Sequence, residues 1–200
     1  MKKIYLDLYN NTNQLNETIQ PWNLVLVNQA HELPSSHEIS LIELKDGFLV
    51  DRRIYPDLQE MFNEARRSGL SPIIVSAYRT SEEQDELFDQ KVNQFLDQEK
   101  TLKQDRTPAE KWVALPGFSE HQTGLALDIN GENGTSQQVY EWLEENSYKY
   151  GFILRYPNGK EDITGINFEP WHFRYVGKQV AKTMYQNNLC LEEYLKQQKQ

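Results

Sequence analysis

Between Gly124 and Ile129 the chain alternates strictly: Leu125, Leu127 and Ile129 share one face of an extended segment, while Gly124, Ala126 and Asp128 share the other. The first face demands a core. The second carries a carboxylate flanked by very small side chains, which leaves space beside it for an ion and a ligand. A carboxylate in so apolar a strand has to be paired, liganded or exposed. His121 stands seven residues earlier, and extended chain advances about 3.3 Å or more per residue. The chain must therefore fold back between His121 and Asp128, in a turn loosened by Gly124, if both are to face one ion.

A second stretch, Glu169-Pro170-Trp171-His172, supplies another imidazole among large apolar groups and another carboxylate. Two imidazoles and one carboxylate, His121, Asp128 and His172, can hold a divalent metal. Zinc with three N/O side-chain ligands keeps a fourth position for water, the arrangement of a catalytic site. The same set also serves non-haem iron, but such sites usually sit in an all-β jelly roll, and this chain has too many helical segments. In a straight strand Glu169 and His172 would point to opposite faces. Pro170 opposes a straight strand and biases Glu169 toward an extended or turn conformation. A bend there turns the carboxylate toward the metal as a general base; the alternative is a surface acid. Arg79, in Ser76-Ala77-Tyr78-Arg79-Thr80, stands between a strand and a helix N-terminus. There it either grips an anionic carboxylate in a two-pronged hydrogen bond or pairs with Glu83. Gln84 is a second candidate donor.

Two hundred residues suit one domain with a full core. The net charge of −9 argues against a nucleic-acid partner, which needs a basic face. A single cysteine, Cys190, excludes an internal disulfide and a Cys-rich metal site, and reads as a packed thiol. No apolar run is long enough to span a membrane, and no hydrophobic segment follows Met1-Lys2-Lys3.

Residues 1–21, rich in Asn, Gln and Thr, read as a peripheral lead-in to a domain over 22–200. Leu24-Val25-Leu26-Val27 reads as a buried strand. Lys45-Asp46-Gly47 joins two strands in a hairpin. Pro56 opens a helix whose Leu58, Met61, Phe62 and Ala65 form one stripe, closed by Gly69. Strand 72–76 leads to a second helix with a capping box of Thr80 and Glu83, and a short helix opens at Thr107-Pro108. A third helix over about 137–146 buries Val139, Trp142 and Leu143. Phe152-Ile153-Leu154-Arg155-Tyr156 reads as a strand, and the last helix runs from about Lys178, with a further turn near Leu191. Helices gathered before and after strands joined by hairpins point to an α+β fold with a mostly antiparallel central sheet.

Taken together, Ser119-x-His121-x-x-Gly124-x-Ala126-x-Asp128 and Glu169-Pro170-Trp171-His172-Phe173-Arg174-Tyr175-Val176-Gly177 resemble the signature of VanY-type D-alanyl-D-alanine carboxypeptidases. These are zinc peptidases related to the VanX and VanXY enzymes and the L,D-carboxypeptidases. The resemblance runs from about residue 22 to 195 and takes in Trp112-Val113-Ala114-Leu115-Pro116-Gly117. It implies a hedgehog/D-Ala-D-Ala metallopeptidase-like fold, one zinc on His121, Asp128 and His172, and Glu169 as catalytic base. It further implies that Arg79, Gln84 and Ser119 hold the terminal carboxylate or the developing oxyanion, with Tyr156 and Trp171 shaping the pocket. The implied substrate is a peptidoglycan stem peptide or precursor ending in D-Ala-D-Ala. L,D-carboxypeptidase or dipeptidase activity is the alternative within the group, and a non-catalytic zinc module is the alternative outside it. A monomer in the cell envelope, outside the cytoplasmic membrane, is expected, with any signal or anchor outside this chain. A cytoplasmic enzyme that trims precursors is the alternative.

Overall fold

A computed structural model describes residues 21–98 and 107–199. The expected lead-in, apart from Pro21, lies outside these residues. The described elements are β1 (Leu41–Glu43), β2 (Leu49–Asp51), α1 (Tyr55–Arg67), β3 (Pro72–Ser76), α2 (Ser81–Gln98), α3 (Thr107–Glu110), β4 (Ala126–Gly131), α4 (Ser136–Asn146), β5 (Phe152–Leu154), α5 (Glu161–Thr164), β6 (His172–Tyr175), α6 (Lys178–Gln186) and α7 (Leu191–Gln198). The fold is α+β. A four-stranded sheet runs in the order β3-β4-β6-β5, antiparallel throughout, and β1 and β2 form a separate hairpin.

The alternation on β4 decides which face is which. Leu125, Leu127 and Ile129 are fully buried with Phe173 and Phe152 against α1, whose Leu58, Met61 and Ala65 are also buried, and against Val139 and Leu143 of α4. The hydrophobic stripe read from the sequence is thus the face that α1 applies to the sheet. Ala126 and Asp128 face the other way. Behind this second face Leu24, Ile153, Val176, Ala181, Met184 and Leu191 make a smaller core under α6 and α7. Thr80 and Glu83 form the expected capping box: Thr80 N donates to Glu83 Oε2 at 2.8 Å, and Glu83 N donates to Thr80 Oγ1 at 3.2 Å.

Several expectations need correction. Residues 24–27 are not a strand: Trp22–Leu24 is a 3-10 turn, and the buried segment after it joins no sheet. Its Val25 carbonyl is used otherwise: Arg174 Nη2 donates to Val25 O at 2.8 Å, and to Asn23 O of the turn at 3.2 Å. Only β1 and β2 meet in a tight hairpin; β3 reaches β4 through α2 and α3, and β5 reaches β6 through α5. The ladder of β5 ends at Leu154, although Arg155 N still donates to His172 O at 3.1 Å. Trp142 is half-buried rather than buried, and α7 is a helix in its own right.

One turn makes the second face usable. Residues Glu120–Thr123 form a 3-10 turn, and Gly124 closes it with φ of 72°. Asp51 N donates to Gly124 O at 2.9 Å, pinning the turn to the hairpin. A Cβ on Gly124 would lie 3.1 Å from that same Asp51 nitrogen. Left-handed backbone costs an L-residue about 1–2 kcal/mol. Gly124→Ala should therefore lose at least about that much stability in urea unfolding and bind the metal more weakly. A variant as stable as the parent would contradict this account of the turn.

Candidate metal centre

Asp128 and His172 are directly opposed residues on β4 and β6. Such cross-strand partners on one face sit about 4.5–5.5 Å apart at Cβ, so the pair is built by sheet register alone. The Asp128 Oδ1 atom lies 3.1 Å from His172 Nδ1. His121 arrives from the 3-10 turn, and its Nε2 lies 3.4 Å from the same oxygen. The potential ligand atoms of His121, Asp128 and His172 all fall within 4.8 Å of one another. All three side chains are at least largely buried. His121 Nδ1 is 2.6 Å from the Ala77 carbonyl, and donating its proton there leaves Nε2 free to ligate. The donor set, its size and its imidazole orientation fit a zinc ion with an open fourth position.

Glu169 joins the site through a turn. His172 N donates to Glu169 O at 3.3 Å, so Glu169, Pro170, Trp171 and His172 form a β-turn with proline at its second position. The turn overrides strand alternation and brings Glu169 Oε2 to 3.8 Å from His172 Nδ1. Burial raises the Glu169 carboxyl to about 7 in the metal-free protein, with Asp128 adding to the rise and His172 and Arg79 opposing it. Burial would raise the Asp128 carboxyl too, but His121 and His172 hold it well below the usual carboxylate range. The two imidazoles diverge. His121 is lowered by burial, with Arg79 also nearby. His172 is raised to about 9, because Asp128, Glu120 and Glu169 together outweigh its burial.

Arg79 lies across the pocket, at the junction of β3 and α2. Its Nε donates to Ser76 Oγ at 3.1 Å, its Nη1 to Gln84 Oε1 at 2.7 Å, and its Nη2 sits 3.5 Å from Asp128 Oδ2. Glu83, the alternative partner, spends its carboxylate on the helix cap. Gln84 is fully buried and also donates to Ala114 O at 2.7 Å, so its amide braces Arg79 against the wall. Ser119 is buried in that wall and its side chain does not cap the 3-10 turn. The Tyr156 ring lies 4.8 Å from that of His172, and Trp171 borders the same cavity of about 340 Å³.

Sequence reasoning missed a buried charge cluster beside the metal-ligand candidates, on the same face of the sheet. Glu120, Arg155 and Arg174 have no exposed side-chain surface. Glu120 Oε1 accepts from Arg155 Nε at 2.8 Å and Arg174 Nη1 at 2.7 Å. Burial alone would raise the Glu120 carboxyl, but the two guanidinia hold it well below the usual range. Arg155 also donates to both oxygens of Glu192 on α7, at 3.0 and 2.7 Å. The available signal was two arginines inside the apolar runs Phe152-Ile153-Leu154-Arg155 and Phe173-Arg174-Tyr175, which require buried partners.

The model of a family described as VanY, D-alanyl-D-alanine carboxypeptidase, matches residues 47–178. The chain belongs to the VanY family. A D-alanyl-D-alanine carboxypeptidase of Enterococcus faecalis is 49% identical over 182 residues, covering 90% of this chain and 68% of that protein. A solved structure of VanYB in complex with D-alanine-D-alanine superposes with a TM-score of 0.84 at 48% identity, covering 88% of this chain and 98% of the other. A mutant of a vancomycin-resistance D,D-pentapeptidase VanY, in complex with Zn(II), also gives 0.84 at 48% identity, covering 87% and 99%. In this VanY-family chain His121, Asp128 and His172 could hold a metal ion, and Glu169 and Arg79 lie beside them.

Metal uptake by this member should depend on pH in a defined direction. His172 must lose a proton to ligate, and its metal-free value of about 9 means that protons compete throughout the neutral range. Apparent zinc affinity, measured against a competing chelator, should rise with pH up to about 9 and fall up to tenfold per unit below it. His172→Ala should abolish stoichiometric zinc in metal analysis.

Proposed function

We propose that this chain is a zinc-dependent D,D-carboxypeptidase that removes the terminal D-Ala from peptidoglycan stem peptides or precursors ending in D-Ala-D-Ala. The observation that carries the reading is the convergence of His121, Asp128 and His172 on one point, with Glu169 on one side and Arg79 on the other. Held by those three side chains, zinc supplies a Lewis acid that polarises a carbonyl oxygen and brings the pKa of water toward 7.

The protein's own groups do the rest. Glu169 takes a proton from the attacking water as its oxygen adds to the scissile carbonyl carbon. It then delivers that proton to the nitrogen of the departing D-Ala as the C–N bond breaks. A carboxylate raised toward neutrality accepts and returns a proton readily, and the charge of a bound ion draws it back toward the ionised form. Arg79 holds the terminal carboxylate or the developing oxyanion. Ser119 adds a hydroxyl to the same end, and Gln84 keeps the guanidinium in place. Tyr156 and Trp171 wall a space suited to a small D-residue.

Every side chain of this site comes from one chain, so a monomer suffices. No helix of the described residues is long and apolar enough to cross a membrane. A mature wall peptide as substrate supports action in the cell envelope, outside the cytoplasmic membrane, whereas a precursor as substrate would place the enzyme in the cytoplasm.

Release of D-Ala from a D-Ala-ended pentapeptide, abolished by chelator and restored by zinc, is the deciding assay. The free D-Ala-D-Ala dipeptide and a tetrapeptide with an L,D bond should be poorer substrates. Glu169→Ala should retain zinc and lose about 10²- to 10⁴-fold in kcat, and near-normal turnover would remove Glu169 from the mechanism. Arg79→Ala should mainly raise KM if the guanidinium binds the ground-state carboxylate, and mainly lower kcat if it meets the oxyanion.

A further inference from the structure

Glu120 precedes the first metal-ligand residue, and the chemistry above gives it no task. Its two oxygens have different surroundings. Oε1 is saturated by Arg155 and Arg174. Oε2 is buried without a hydrogen-bond partner, and it lies 3.7 Å from His172 Nε2, which is buried and has none either. A buried donor or acceptor left unpaired is destabilising. Here two of them face one another, and a single shared proton would satisfy both. The other nitrogen of that ring, Nδ1, points the opposite way, toward Asp128 and Glu169.

We propose that Glu120 is a positioning residue of the metal centre: its free oxygen accepts the Nε2–H of His172 and so reserves Nδ1 for the ion. The inference rests on the metal-binding reading of His121, Asp128 and His172. A neutral imidazole carries one proton, on either nitrogen, and only the Nε2–H tautomer can ligate through Nδ1. His121 is handled the opposite way round. The Ala77 carbonyl takes its Nδ1 proton and leaves Nε2 for the ion. The two imidazoles therefore use different nitrogens, and what lies behind each ring dictates the choice. The guanidinia of Arg155 and Arg174 supply the counter-charge that lets a carboxylate sit in the interior. Glu192 braces Arg155 from α7, so the C-terminal helix supports the ligand from behind.

The plainer role for Glu120 is a counter-ion for two buried arginines, and the substitution Glu120→Gln separates the two. Both guanidinia need the amide oxygen, so the amide NH₂ of Gln would face His172 Nε2. That donor favours the tautomer with the proton on Nδ1, which cannot ligate. A counter-ion role predicts lost stability with the tautomer unchanged.

The experiment is nitrogen-15 NMR of the histidine rings, with zinc affinity measured by chelator competition. In the zinc-loaded parent, His172 should show a metal-bound Nδ1 and a slowly exchanging, downfield Nε2–H. Zinc on Nε2, or an Nε2–H that exchanges freely with solvent, overturns the proposal without any variant. In Glu120→Gln, zinc affinity should fall about 10- to 100-fold, and the metal-free His172 ring, once titrated to its neutral form, should carry its one proton on Nδ1. Unchanged affinity with an unchanged tautomer also overturns it. A parent protein that binds no zinc would end the metal reading and this inference together, whereas tight zinc with the wrong ring nitrogen would end this inference alone.

Discussion

The opposition of Asp128 and His172 across β4 and β6 underlies everything else in this site. In an antiparallel sheet the register determines which side chains meet, and a slip of one residue sends every side chain to the other face. Leu127 and Phe173, the neighbouring pair, are fully buried in the main core. The hydrophobic contact that locks the register is therefore also what holds a carboxylate and an imidazole together on the opposite side. Binding energy for the metal is not needed to assemble this half of the site; the core has already done so.

The remaining ligand and the acid reach that pair by departures from regular structure. His121 comes through a 3-10 turn that ends in a left-handed glycine, and Glu169 through a proline turn. Each departure is tied down by a backbone hydrogen bond, Asp51 N of β2 on Gly124 O in one case and Glu169 N on Tyr156 O, just past β5, in the other. Groups that must converge within an ångström or two are better held by such ties than by loops alone. Arg79 is likewise fixed at both sides of its guanidinium, by Ser76 and Gln84.

Electrostatics give the site its asymmetry. Buried charge is tolerated here only in matched groups: Glu120 with Arg155 and Arg174, and Asp128 with two imidazoles and Arg79. Glu169 alone lacks a close cationic partner that offsets its burial, and it alone among these carboxylates is raised toward neutrality. The group with the least compensation is the one suited to move protons.

Alternation around Asp128, the helical stripe at Leu58, Met61, Phe62 and Ala65, and the Thr80–Glu83 cap were legible because each is a local pattern with one physical reading. The need for a bend before Asp128 followed from chain length alone. The motif residues pointed to a metal, and their resemblance pointed to a family. Residues 24–27 misled because burial by itself does not make a strand; the Val25 carbonyl serves a guanidinium 149 residues away in sequence. The pairing of Glu120 with Arg155 and Arg174, and the choice of ring nitrogen on each histidine, have no local signature. The amino-acid sequence by itself singled out His121, Asp128, His172 and Glu169 and determined which face of β4 is dry. The tertiary structure decided which atoms of those side chains turn toward one another, because that depends on distant groups packed around each ring.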